Sequence, residues 1–207
     1  VEVRDYRGSS NPEALLRRLI SESEVQVWAE GVDLPLPEAR ERAELERGPS
    51  LAVWTLPPGP RELRAALARV KPDSVFFFGL DPGLDSPAVF LKRLAGLAKF
   101  ALRSRGGNLD LYVAAAACSQ QADTIGTGLD WLEAKGWVRV LKRDQRSWRL
   151  ASGTEHPDAD AMESTHARLQ ALLAETAAYR EYLLYAPASA LVGSDLQGDK
   201  RGDQKQN

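Results

Sequence analysis

The chain contains a single cysteine, Cys118, in 207 residues. An internal disulfide is therefore excluded, and a reducing, cytoplasmic setting is expected. No apolar run approaches the ~20 residues that a helix needs to cross a bilayer, so no membrane partner is expected. Histidine is nearly as scarce, with only His156 and His166 present. They flank Asp158, Asp160 and Glu163, but only His166 stands at helical spacing from Glu163. Carboxylates in a first helical turn are what the helix dipole favours, so no metal is expected there. The phosphate-binding patterns Gly-x-x-x-x-Gly-Lys and Gly-x-Gly-x-x-Gly are both missing after the strand candidates. Gly126-Thr127-Gly128 lies inside a predicted helix with no strand before it and reads as close helix packing. Cys118 sits in an alanine-rich helix with no histidine near it in sequence, and reads as a small buried apolar residue. Neither an initiator methionine nor a signal peptide precedes Glu2-Val3-Arg4-Asp5, so the chain is expected to be a piece of a longer protein.

What is present is an ordinary globular composition, 43% hydrophobic and 27% charged, over a length that allows one or two domains. The net charge of −2 is unevenly distributed. Residues 84–150 carry 11 basic and 6 acidic side chains, whereas the segments on either side are net acidic.

Residues 86–150 organise the rest. An apolar-periodic helix (Phe90, Leu91, Leu94, Leu97, Ala98, Leu102) ends at Gly106-Gly107. A short helix over 111–118 and a third over 123–135 follow, and Gly136 closes the third in a left-handed turn. Strands at 137–141 and 147–150, joined by a polar tip at 142–146, then form a wing. This order predicts a winged helix-turn-helix, a docking module for nucleic acid or protein.

Ahead of it, residues 1–85 alternate strand and helix. Strand candidates lie at 1–5, 25–29, 51–56 and 74–79. A helix begins at Pro12 behind an Asn11 cap, and another covers 61–70 with Leu63, Leu67 and Val70 inward. The highly charged segment 38–47 is predicted to be a surface helix. The runs Leu51-Ala52-Val53-Trp54-Thr55-Leu56 and Ser74-Val75-Phe76-Phe77-Phe78 are fully apolar in the manner of buried parallel strands. The expected architecture is therefore an α/β protein: a small, mostly parallel open sheet with flanking helices, a Rossmann-like arrangement, fused to the winged helix. In such sheets ligands bind at the carboxyl ends of the strands, here residues 56–60 and 79–83, although prolines there remove amides. Residues 151–193 supply a long C-terminal helix, and 194–207 are polar and expected to be disordered.

Lys142, Arg143, Arg146 and Arg149 on the wing are candidates for weak, salt-sensitive contact with a DNA backbone. The third helix carries Asp123, Asp130 and Glu133, which would repel phosphates, so base reading is not expected. Trp131 falls at the margin of that helix's buried face, either a core flank or an anchor for a protein partner, with Asp123, Asp130 and Lys135 beside it. Trp137 and Trp148 are expected in the core.

Several short stretches, in order, resemble the C-terminal region of the RecJ family of single-stranded-DNA-specific 5′ to 3′ exonucleases. They are Val3-Arg4-Asp5-Tyr6-Arg7-Gly8, Leu51-Ala52-Val53-Trp54-Thr55-Leu56-Pro57 and Pro72-Asp73-Ser74-Val75-Phe76-Phe77. Gly106-Gly107-Asn108-Leu109-Asp110-Leu111 and Leu173-Ala174-Glu175-Thr176-Ala177-Ala178-Tyr179-Arg180 complete the set. The resemblance implies a catalytic core upstream that holds Mn or Mg, and no catalytic residue or cofactor in this segment. It also implies a role in DNA repair and recombination as a non-catalytic accessory domain. Its partners would be a helicase or single-strand-binding protein, together with the nuclease core of the same chain. Two other classes remain open: an autonomous winged-helix DNA-binding regulator, and a small α/β enzyme using the sheet's carboxyl edge.

Overall fold

Strict alternation along the two apolar runs builds two cores from one sheet. The computed structural model describes residues 1–32, 39–154 and 156–192. Its first part contains β1 (Glu2–Asp5), α1 (Pro12–Glu22), β2 (Gln26–Trp28), β3 (Ala39–Arg40), β4 (Ser50–Thr55), α2 (Pro60–Val70) and β5 (Ser74–Leu80). The five strands lie in the order β1-β5-β4-β2-β3, and every pairing is parallel. Leu51, Val53, Val75 and Phe77 face α2 and join Leu63, Leu67 and Val70. Ala52, Trp54, Phe76 and Phe78 point to the other side and join Leu16 of α1. A strand buried on both faces reads as a continuous apolar run for this reason, each large side chain contributing about 1.5–3 kcal/mol on burial. The Asn11 side chain caps α1 by accepting from the Ala14 amide at 3.1 Å.

The segment 38–47 is not the surface helix its charges suggest; Glu38 lies outside the described residues, and the rest forms β3 and a turn. The cause is tertiary. Leu45 is fully buried against the sheet, and the carboxylate of buried Glu30 accepts from the Arg42 amide at 2.9 Å and from Arg42 Nε at 2.7 Å. Trp28 Nε1 donates to the same carboxylate at 2.9 Å. A helix through this segment would forfeit those bonds and leave a buried charge unpaired, which outweighs a propensity of a few tenths of a kcal/mol per residue.

The second part runs α3 (Pro87–Ser104), β6 (Asn108–Asp110), α4 (Leu111–Ala117), α5 (Ala122–Ala134), β7 (Val138–Arg143) and β8 (Ser147–Ser152). Its sheet is antiparallel in the order β6-β8-β7; the strand β6 is too short to leave an alternation in the sequence. Gly107 is required where β6 begins. Its φ is +79°, and a Cβ there would stand 2.0 Å from the Leu150 carbonyl oxygen. Gly128 on α5 is equally constrained, because a Cβ would meet Leu94 at 2.5 Å and Phe90 at 2.7 Å. Trp148 is half-buried against this core, but Trp137, expected inside, is 53% exposed. It precedes β7, and the inward position falls to Val138.

The long helix α6 (Ala159–Tyr185) joins the two parts, followed by the short α7 (Ala188–Leu191). Leu169 and Leu173 of α6 pack in the core of the second part, and Leu183 packs under the first sheet. Between them Arg180, only 3% exposed, donates from Nε to the Leu56 carbonyl at 3.2 Å and from Nη2 to the Ser119 hydroxyl at 2.8 Å. It also donates to the Ser119 carbonyl and pairs with Asp85. Burial pulls the guanidinium below its ordinary pKa, and Asp85 opposes that shift. Ser119 takes a left-handed conformation, φ +47°, in a fully buried position, which the two bonds from Arg180 hold in place. Residues 194–207, expected to be disordered, lie outside the described residues, as does Gly193.

Replacing Arg180 with Met should remove about 3–5 kcal/mol of stability, because Asp85 loses its counter-charge and the Leu56 and Ser119 carbonyls lose a buried donor. Urea unfolding measures this; a loss below 1 kcal/mol would show that Arg180 does not hold the two parts together.

Candidate functional site

The carboxyl edge of the parallel sheet, the expected place for a ligand, is covered by the protein itself. Arg180 occupies the end of β4, and Gln121 Nε2 donates to the Pro58 carbonyl at 3.2 Å. Gln120 Nε2 donates to Asp85 in the loop after β5 at 2.7 Å. The loop after β2 approaches so closely that a Cβ on Gly31 would lie 2.9 Å from Ser119. The turn between α4 and α5 therefore fills the crevice that the sheet topology creates.

A groove of about 670 Å³ lies instead between α2 and the face made by α4, α5 and the β7–β8 hairpin. Arg61, Ala65 and Arg69 line it from α2, three positions four residues apart on one helix face. Asp123, Gly126, Thr127 and Asp130 line the opposite wall, Arg143, Arg146 and Trp148 come from the hairpin, and Arg168 comes from α6. Four of the residues singled out in the sequence, Asp123, Asp130, Arg143 and Arg146, thus meet in one place. Arg61, Arg69 and Arg168 were not singled out, since nothing local distinguishes them from other surface arginines.

The groove's charges are partly committed. Arg143 Nη2 sits 2.8 Å from Asp130 and 2.9 Å from Glu133, with its guanidinium carbon 4.7 Å from the Trp148 ring centre. The Asp130 contact is an ion pair without hydrogen-bond alignment, and its Oδ1 has no other partner. Burial raises the Asp130 carboxyl above its ordinary pKa, and Arg143 opposes that shift. Arg146 pairs with Asp110 at 2.9 Å, and Lys142 with Asp144 at 2.8 Å. Three of the four wing cations proposed for a DNA backbone are thus already engaged, Arg149 alone having no ion pair among the described residues. Arg61 and Arg69 likewise have none, and so are available to a ligand in the groove; Arg168 has none either, but its charge already acts on Asp130.

Trp131 and Lys135 lie outside this groove. Trp131 is half-buried and meets Trp137 edge to face, with ring centres 6.2 Å apart and planes at 87°. The two rings form an aromatic ledge, and Lys135 follows directly at the end of α5. Trp137 was missed as a surface residue because strand periodicity was extended one position too far.

No group of three or more His, Cys, Asp or Glu residues able to hold a metal ion occurs among the described residues, and no helix among them is long and apolar enough to cross a membrane. No protein-family model matches the chain, and neither does any curated protein or any solved structure.

Cys118 is fully buried, and desolvation pushes its thiol up to about 12 from an ordinary 9.0. The folded protein keeps this thiol neutral while the unfolded chain ionises. Its contribution is therefore complete below pH 9 and is lost as pH climbs from 9 toward 12. Native protein should resist thiol reagents at pH 8. Stability measured by urea unfolding should also drop less between pH 8 and 10.5 in Cys118→Ala than in the parent chain; equal drops would remove Cys118 as a cause.

Proposed function

We propose that this chain is a non-catalytic docking domain of a RecJ-like single-stranded-DNA exonuclease, receiving a protein partner in the groove between α2 and the β7–β8 hairpin. Residues 86–150 are read as a winged helix in which α5, the helix that would enter a DNA groove, is turned inward. Thr124 through Leu129 are all buried and α5 packs along α6, so duplex reading through α5 would require the C-terminal helix to leave. That geometry favours the accessory reading over an autonomous winged-helix regulator. The covered carboxyl edge likewise weighs against a small enzyme working there.

The observation that carries the proposal is the groove itself. Arginines from α2 and α6, unpaired among the described residues, face Arg143, Arg146 and the half-buried Trp148 across about 670 Å³. This arrangement suits an extended segment bearing carboxylates, with an aromatic floor for an apolar side chain. The Trp131–Trp137 ledge offers a second point of attachment. A helicase or single-strand-binding protein is the partner class implied by the resemblance, while Mn or Mg chemistry would belong to the parent's upstream core.

The test is titration calorimetry of the full chain with the purified single-strand-binding protein and helicase of the same source. Arg61→Glu with Arg69→Glu should weaken capture at least tenfold, about 1.4 kcal/mol, and Trp131→Ala should weaken it less while the domain stays folded. Binding of neither protein, or binding untouched by the α2 charges, overturns the groove reading. Digestion of single-stranded DNA by this chain alone with Mn added would overturn the accessory one.

A further inference from the structure

The wing was the expected place for nucleic acid, yet of its four candidate cations Arg149 alone lacks an ion pair among the described residues, and a longer row of free positive charge lies elsewhere. Helix α3 carries Lys92, Arg93, Lys99 and Arg103 and no acidic residue. Arg93 turns inward and donates to the Ala117 carbonyl at 2.6 Å. Lys92, Lys99 and Arg103 are exposed, and among the described residues none of them has an ion pair or hydrogen bond. At 100° per residue the three fall within an arc of about 40°, strung over about 16 Å of helix. Gly96 lies about 20° beside that arc, exposed and with nothing within 4 Å of a Cβ built on it, so a chain laid along the helix can come close. Beside the stripe stands Phe100, 53% exposed, with the guanidinium carbon of exposed Arg105 5.5 Å from its ring centre.

We infer that the outer face of α3 binds a single strand of nucleic acid, its phosphates following Lys92, Lys99 and Arg103 and one base stacking on Phe100. The complementarity is that of a polyanion for a row of unpaired cations, and the exposed ring supplies the sequence-tolerant platform that single strands use. A lipid surface fits less well. Val89 and Phe100 are the large apolar side chains exposed on this helix, whereas an interfacial helix needs a broad apolar face. A duplex would leave Phe100 without a stacking partner. This inference does not rest on the groove, which lies on α2, α4, α5 and the hairpin.

The test uses the full chain and a fluorescein-labelled mixed-sequence 20-mer, single-stranded or annealed, titrated by anisotropy from 20 to 200 mM salt. Three phosphate contacts to a single strand give a log–log salt slope of about −2. Changing Lys92, Lys99 and Arg103 together to Gln should cut low-salt affinity at least tenfold and flatten the slope by about 2. Phe100→Ala should weaken the single strand about tenfold with the slope unchanged. All positions are exposed, and matching thermal melts check that the variants fold. Changing Lys142, Arg143 and Arg146 to Gln should leave the slope as it was. Undetectable binding at 20 mM salt, a slope lost with the wing instead of α3, tighter binding of the duplex, or capture by phosphatidylglycerol vesicles in place of DNA would each overturn the inference. Binding of a protein partner should be the same in the α3 variants as in the parent chain, so the two surfaces fail or stand separately.

Discussion

One buried guanidinium fixes the relation between the two parts of this molecule. Arg180 reaches the end of a central strand at Leu56, the loop after β5 at Asp85 and the left-handed turn at Ser119. A charge so far from water is tolerable only when its donors are matched and a counter-charge is close. The geometry is therefore demanding: α6, the parallel sheet and the α4–α5 turn must all be in place together. Apolar packing alone would allow the parts to slide, whereas directed hydrogen bonds do not. Glu30 does the same work on a smaller scale, binding Arg42 and Trp28 so that residues 39–47 fold onto the sheet.

Closure of the sheet's carboxyl edge follows from this hub and decides where function can reside. An open parallel sheet offers a crevice at that edge, but here the crevice is filled by Ser119, Gln120, Gln121 and Arg180. Helix α5 is covered in the same way, because α6 lies along it on the way to bringing Arg180 inward. The arginine-lined groove and the outer face of α3 remain open. Both lie away from the hub, on elements whose inner faces are already satisfied.

Charge alone is a poor guide to such surfaces; pairing is the better one. The wing looks basic in sequence, yet Lys142, Arg143 and Arg146 each meet a carboxylate within 3 Å. The acidic residues that make α5 look hostile to DNA, Asp130 and Glu133, are the ones that hold Arg143. Among the described residues, Arg61 and Arg69 on α2, Lys92, Lys99 and Arg103 on α3, and Arg149 on β8 have no ion pair. A counter-ion already bound within the protein must be displaced before a ligand can use its partner, and that cost removes most of the gain from an exposed ion pair.

The sequence by itself determined the elements whose signal is local. The continuous apolar runs of β4 and β5 specify a sheet buried on both faces, Asn11 and Pro12 start α1, and Gly128 and Cys118 report tight packing in the second part. The buried stripe of α6, spaced at three and four residues through Leu169, Leu173, Thr176 and Leu183, also passes through Arg180. A lone charge on an apolar stripe was thus the one trace of the hub visible in advance. Tertiary structure decided the rest, because it depends on partners distant in the chain. It placed residues 39–47 in a strand and turn, put Trp137 outside, and brought Arg61 and Arg69 opposite Arg143 and Arg146. It also sorted the basic residues into paired and free, since an ion pair is a property of two positions in space and periodicity along one segment carries no record of the second.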